Sequence, residues 1–235
     1  SEEYYDFQVN RPQIKIDESN IREIIWPGTI VYAVSSPALA NDFLIVRGVE
    51  PSMRWKSFIS DLLDLADDYE VSMIISIGAL LADTTHSRPF NVAISGAHPE
   101  VSERFGLEIS KYEGPTGIIG VLQDGAFRRG IDAISLWAAV PHYVSTPPSP
   151  KASLALINAL EDFLEISIAQ GDLPERAAGS NGRHLCALAK GVAIFNLCWC
   201  GFYRPFWCSG AEWRGVGQLH RKATARRKYR PNSSL

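Results

Sequence analysis

The sequence predicts an α/β fold, a twisted mixed sheet flanked by helices, and three observations carry that prediction. Strand-period and helix-period runs alternate through residues 1–173. One of the strand runs, Val71 to Ile77, is almost continuously apolar, as a strand must be when helices cover both sheet faces. With 46% hydrophobic and 21% charged residues over 235 positions, the chain can bury a full core in one domain.

Taken in order, Arg22 to Ile25 and Thr29 to Ser35 read as strands bounded by Pro27-Gly28 and Ser36-Pro37. Asn41 to Arg47, built on Phe-Leu-Ile-Val, reads as a third. The period then changes: Trp55, Phe58, Ile59, Leu62, Leu63 and Leu65 recur at helical spacing through Ser52 to Tyr69, with Ser52 as the expected N-cap. Gly78 is expected to end the Val71 strand. Phe90 to Ser95 is a shorter strand and Pro99 to Phe105 a short helix. After the loop Tyr112-Glu-Gly-Pro-Thr-Gly, Pro115 should open a helix whose buried face is Ile118, Ile119, Val121, Leu122 and Phe127. A strand from Ala133 to Ala138 and a helix from Pro150 to Leu164 complete the series.

No run of eighteen uninterrupted apolar residues occurs, and Ser1 to Asp6 has neither the basic nor the apolar region of a secretory signal. The expectation is a cytoplasmic protein without a membrane partner. The net charge of −3 hides an asymmetry: eleven of the 23 Lys and Arg, but only Glu212 of the 26 acids, lie from Arg176 onward. The preceding body thus holds 12 basic and 25 acidic residues. All four cysteines (186, 198, 200, 208) and Trp199, Trp207 and Trp213 also fall in this tail.

A basic tail could neutralise phosphates, and Cys with His could hold zinc. Cys198-Trp-Cys200 lacks the two-to-four-residue ligand spacing, however, and His184 and His220 are remote from it, so no metal and no nucleic acid are called. Residues 174–235 are instead read as a disordered or out-of-frame tail, because the run Leu185 to Phe206 shows neither helical nor strand periodicity. Its exposed cysteines and aromatics would lower solubility.

Ligands and partners of open α/β sheets meet the loops at the C-terminal strand ends. Four such segments gather polar groups: Gly48 to Trp55 with Glu50 and Arg54; Asp83 to Pro89 with His86 and Arg88; Val140 to Tyr143 with His142; and Tyr112 to Gly117 with Glu113 and Thr116. His86 could act as a general base or anion contact, or simply brace its loop. The bracing role is favoured, because no Gly-x-Ser-x-Gly nucleophile accompanies it. Thr116 precedes a helix N-terminus, where the dipole favours anions. The segment lacks the Lys and glycine spacing of a P-loop, so a turn or cap role is favoured for it as well. Trp55, Trp137 and Tyr143 are open to either a core or an interface role.

Four stretches, Val46 to Trp55, Gly78 to Pro89, Tyr112 to Leu122 and Ser135 to Tyr143, resemble in matching order the proteasome assembly chaperone 2 family, in its actinobacterial branch. The resemblance spans about residues 3 to 174. It implies a fold similar to the purine nucleoside phosphorylase-like (phosphorylase/hydrolase-like) class, without that enzyme's catalytic residues. It further implies no cofactor, a protein partner such as proteasome subunits, and a homo-oligomer, a trimer in several bacterial members. Relatives open with a further strand and helix carrying a Gly-Trp-Asn-Asp-like loop, and continue past the counterpart of Leu173 with an acidic helical segment. This sequence departs from the pattern at both ends.

Two functions of different class follow. The first is a non-enzymatic protein-binding or assembly module. The alternative is a small-molecule enzyme or binder of nucleoside phosphorylase or hydrolase type, its pocket built from Glu50, Arg54, Asp83, His86, Arg88, Glu113, Thr116 and His142. The absence of a recognisable catalytic signature in the body favours the first.

Overall fold

A strand buried on both faces must present apolar groups alternately to two helix layers, and β5 (Met73–Ala82) does so with adjacent isoleucines. Ile74 and Ile75 are both fully buried, one in each of two separate cores. The computed structural model describes residues 2–35, 41–143, 149–178 and 192–198, with backbone alone for 175–176 and 192–198. In chain order the elements are β1 (Gln13–Ile16), β2 (Arg22–Ile25), β3 (Thr29–Val34), β4 (Phe43–Val49), α1 (Trp55–Asp68), β5, β6 (Val92–Gly96), α2 (Pro99–Phe105), β7 (Glu108–Ile109), α3 (Ile118–Arg128), β8 (Asp132–Pro141), α4 (Pro150–Leu164), α5 (Leu173–Ala177) and β9 (Val192–Cys198).

Seven strands form one mixed sheet in the order β3-β4-β9-β5-β8-β6-β7. The central four, β4, β9, β5 and β8, run parallel, while β3 is antiparallel to β4 and β6 to β8. On one face α1 and α3 pack Phe58, Ile59, Leu62, Leu63, Ile118, Ile119 and Leu122 against Leu44, Val46, Ile74 and Ala133. On the other, α2 and α4 bring Val101 and Leu160 to Phe43, Ile75, Ile134 and Leu136. Each fully buried Leu or Ile contributes about 1.5–3 kcal/mol, so this three-layer burial is the main stabilising term. Arg129, just past α3, ties the first helix pair together from outside: its guanidinium donates to Asp64 at 2.7 Å and Asp67 at 2.6 Å, both on α1.

β1 and β2 stand apart as a two-stranded antiparallel ribbon in the register Ile14↔Ile24 and Ile16↔Arg22. All eight of their residues are exposed. A lone hairpin is marginally stable in water; here Asp17 tightens the turn by accepting the Ser19 and Ile21 amides at 2.9 and 2.7 Å.

The expected boundaries hold for β2, α2 and α4 and shift elsewhere. Gly78 does not end its strand: β5 continues to Ala82, and the bare Cα of Gly78 receives the ring of Trp137, its cross-strand partner on β8. Ser52 does not cap α1. The helix starts at Trp55 behind Arg54, which sits in the left-handed region at φ 56° without any side-chain cap, while the Ser52 hydroxyl accepts from Asn10 at 3.1 Å. Pro115 lies ahead of α3 rather than opening it, and Phe127 turns to the opposite core, stacking on His98 at 3.8 Å.

A boundary drawn after Leu173 falls inside α5, and residues 192–198 form β9 between β4 and β5. Apart from Cys198, the cysteines, tail tryptophans and tail histidines of the sequence reading lie outside the described residues.

Candidate functional site

Because β4, β9, β5 and β8 are parallel, their C-terminal ends share one edge of the sheet, where loops carry their side chains outward. All eight residues expected from sequence lie in loops or strand ends along this edge, but they form two groups. Glu50, Arg54, Glu113 and Thr116 surround the starts of α1 and α3. Asp83, His86, Arg88 and His142 follow β5 and β8.

In the first group the governing contact is made by Glu50, directly after β4. Its carboxylate accepts the Ile118 backbone N–H at 2.8 Å, so the protein's own anion occupies the helix N-terminus that sequence offered to a phosphate. Glu50 is half-buried, and burial pushes its pKa above the ordinary carboxylate value, an effect partly offset by the Ile118 hydrogen bond. Thr116 folds over the same turn: a Cβ at Gly120 would overlap its hydroxyl, so glycine there lets Thr116 pack against the helix start. Tyr112 braces the loop by donating to the Pro115 carbonyl at 2.8 Å. Arg54 points the other way, to Glu3 at 3.3 Å, and Glu113 is exposed.

In the second group the contacts are pairwise and open to solvent. The Nε2 of His142 lies 3.0 Å from Oδ1 of Asp83, whose side chain is 97% exposed. At that exposure the contact is open to solvent and holds the two loops together only weakly. His86 is held by Tyr143: its backbone N–H donates to the phenol at 3.0 Å, its Nδ1 lies 3.2 Å from the same oxygen, and the rings meet edge to face. Lys151, in the first turn of α4, donates to the His86 carbonyl and lies 5.3 Å from the centre of the Phe90 ring. Arg88 is exposed, and its amide closes a turn on Thr85.

In these contacts the side chains of both groups brace loops. His86 and His142 each have a partner, yet neither faces a serine, cysteine or threonine in these contacts. The hydrogen bonds and ion pairs of each group stay within that group or tie it to its scaffold. Two concavities of the described surface lie elsewhere, one against the β1–β2 ribbon and one beside Phe105 and Phe163. Among the described residues no three His, Cys, Asp or Glu converge to hold a metal ion, and no helix is long and apolar enough to cross a membrane.

Sequence reasoning missed Lys151 and Phe90 as supports of the His86 loop; a basic residue in the first turn of a helix, against the dipole, was the available signal. Trp55 and Trp137 prove to be partly buried residues packed on the α1–α3 core, whereas Tyr143 is exposed at the edge.

Comparison with known proteins places the chain in context. The model of the PAC2 family matches residues 1–180. A crystal structure of a PAC2 family protein from Streptomyces avermitilis is 49% identical, with 75% of each chain covered and a TM-score of 0.70. A proteasome-assembly chaperone homologue of Mycobacterium tuberculosis is 44% identical over 76% of this chain and 75% of its own, with a TM-score of 0.68. An archaeal proteasome activator from Pyrococcus furiosus shares the fold at 22% identity, with 71% of this chain and 72% of its own covered and a TM-score of 0.54. The comparison with curated proteins gave no match.

Proposed function

Since this chain belongs to the PAC2 family, we propose that it is a non-enzymatic protein-binding module of the proteasome-assembly type. The observation that carries the reading is its 44% identity, across three quarters of both chains, to the mycobacterial proteasome-assembly chaperone homologue. The partner on this reading is a protein, proteasome subunits first, with neither nucleic acid nor membrane involved. The chain works in the cytoplasm as a homo-oligomer, a trimer by the resemblance. The sheet is of the purine nucleoside phosphorylase-like class, with the chemistry absent.

The polar strand-end edge is the partner-facing surface. Support comes from how its side chains are used: Glu50 caps α3, His86 leans on Tyr143, and Asp83 pairs with His142 in the open. Exposed loops held in a fixed shape by short local contacts suit recognition of a protein surface. They suit small-molecule catalysis poorly, which needs desolvation and convergent groups.

Native mass spectrometry of the full chain, captured at ordinary expression level from its own cells, tests the proposal. Stoichiometric proteasome subunits on the complex are expected, and Asp83→Ala with His142→Ala should weaken their retention without unfolding the chain. A bare protein that retains a nucleoside or sugar phosphate would overturn the reading.

A further inference from the structure

Residues 3–10 precede the β1–β2 ribbon, and their polar contacts gather on one loop of the polar edge, residues 49–54. The backbone carbonyl of Tyr4 accepts the amides of Ser52 at 2.8 Å and Met53 at 3.2 Å. The Tyr5 hydroxyl donates to the Val49 carbonyl at 3.2 Å and lies 2.7 Å from the Thr29 hydroxyl. Asn10 donates to the Ser52 hydroxyl at 3.1 Å. Arg54 meets Glu3 at 3.3 Å in the open, where such a pair adds little.

Aromatic rings fasten the segment on both sides of this contact. Tyr5 is 3% exposed, and Tyr4 packs edge to face on Phe58 of α1 with ring centres 5.3 Å apart, while its hydroxyl donates to Asp61 at 2.7 Å. Phe7 lies on Trp26, just past β2, at 4.9 Å between centres. Between these anchors and Asn10, the Asp6 carbonyl closes a turn on the Val9 and Asn10 amides at 3.1 and 2.8 Å. The loop depends on the arrangement: α1 begins behind Arg54 without a side-chain cap, and the turn leading into it takes its acceptor from Tyr4. Glu50 in the same loop holds the Ile118 amide, so a shift of residues 49–54 is passed on to the start of α3.

We propose that residues 3–10 are a positioning strap for the polar edge, with Tyr5 as its anchor. Laid across residues 49–54, the strap holds Glu50, Arg54 and the start of α3 in the shape that the partner protein reads. The proposal deepens the reading of the polar edge given above and rests on it for the partner. Its physical basis is the cost of ordering: a recognition loop that is not fixed beforehand must be ordered on binding, and that cost is subtracted from affinity. A segment remote in sequence does the fixing here through short carbonyl and hydroxyl contacts. Loosening it therefore weakens recognition while the sheet and its helices stay folded.

The test compares full-length wild type, Tyr4→Phe/Tyr5→Phe and Arg129→Ala by hydrogen exchange, and by native mass spectrometry with proteasome subunits purified from the protein's own cells. The double variant keeps both rings and removes the hydroxyl contacts to Asp61, Thr29 and Val49. Arg129→Ala loosens α1 from α3 at the ends away from the edge, and so controls for a general loss of stability. In the double variant, peptides covering residues 49–54 should exchange at least about threefold faster, and subunit retention should weaken at least about threefold. Arg129→Ala should leave both near wild type. Asn10→Ala, which removes the contact to Ser52, should act as the double variant does but more weakly. Wild-type exchange across residues 49–54 in the double variant would overturn the proposal. So would faster exchange with undiminished retention, or Arg129→Ala reproducing both effects. A wild type that retains no proteasome subunits brings down the reading of the polar edge and the strap's function with it, whereas failure of the strap alone leaves wild-type retention intact.

Discussion

Glu50 and Ile118 stand 68 residues apart in sequence and are joined by a single hydrogen bond, the Glu50 carboxylate accepting the Ile118 amide at 2.8 Å. This contact links the end of β4 to the start of α3, and so sets the spacing of two of the loops on the polar edge. Glu50→Ala should cost about 0.5–2 kcal/mol, the range for losing an N-terminal cap. Glu50→Gln keeps an acceptor oxygen and drops the charge. Because burial raises the Glu50 pKa in the folded state, ionisation there is penalised relative to the unfolded chain. That penalty is complete above the raised folded pKa and vanishes below the unfolded one. The stability of the wild type relative to Glu50→Gln should therefore rise as pH falls through this interval. Urea titrations of both proteins between neutral pH and about pH 4 check it; a gap that stays constant or widens against the wild type at low pH would refute it.

Gly78 and Trp137 form a second such pair. The indole lies over the bare Cα of Gly78 from the neighbouring strand, and an added methyl would overlap the ring. Gly78→Ala should lose about 1–3 kcal/mol through overpacking. Combined with Trp137→Leu, its extra cost should shrink markedly, and a double-mutant cycle measures the coupling.

Arg129 reaches two carboxylates of α1 while remaining partly exposed. Arg129→Ala should cost up to about 1 kcal/mol, in line with surface pairs. The difference from wild type should shrink in about 1 M salt, where screening acts within a few ångströms. An undiminished difference at high salt would assign the effect to packing of the Arg129 stem.

β9 pairs with β4 over seven positions and with β5 over four. Removing residues 179–235 should lower stability and strip amide-exchange protection from the facing edges of β4 and β5, leaving β8 and β6 protected. Hydrogen exchange followed by mass spectrometry reads this directly. Full protection of β4 and β5 in the shortened chain would mean that the two strands close onto each other.

What was legible in the sequence follows from where periodicity exists. α1, α3 and α4 each bury one stripe, so their apolar spacing announces them, and β2, α2 and α4 begin and end where Pro and local pattern indicate. β9 escaped notice for a different reason. Val-Ala-Ile-Phe-Asn-Leu-Cys is apolar like Val71 to Ile77, but it lies inside the longer run Leu185 to Phe206, whose Trp, Cys and Gly residues blur its limits. β1 was missed because four residues with a Lys between two isoleucines make a weak strand signal. The candidate site was legible as positions but not as partners. Glu50, His86 and His142 were found, whereas the Ile118 amide, Lys151 and the split into two groups depend on contacts distant in sequence.

The place of β9 also bears on when the fold can form. The middle of the sheet is filled by residues 192–198, while its flanking strands β4 and β5 lie more than a hundred residues upstream. As the chain leaves the ribosome, both halves of the sheet are made first, each with an inner edge that awaits residues 192–198. Native pairing at the centre thus closes the longest loop among the described strand pairs. The interval before it is when nascent copies, rather than finished ones, are most prone to join wrongly edge to edge.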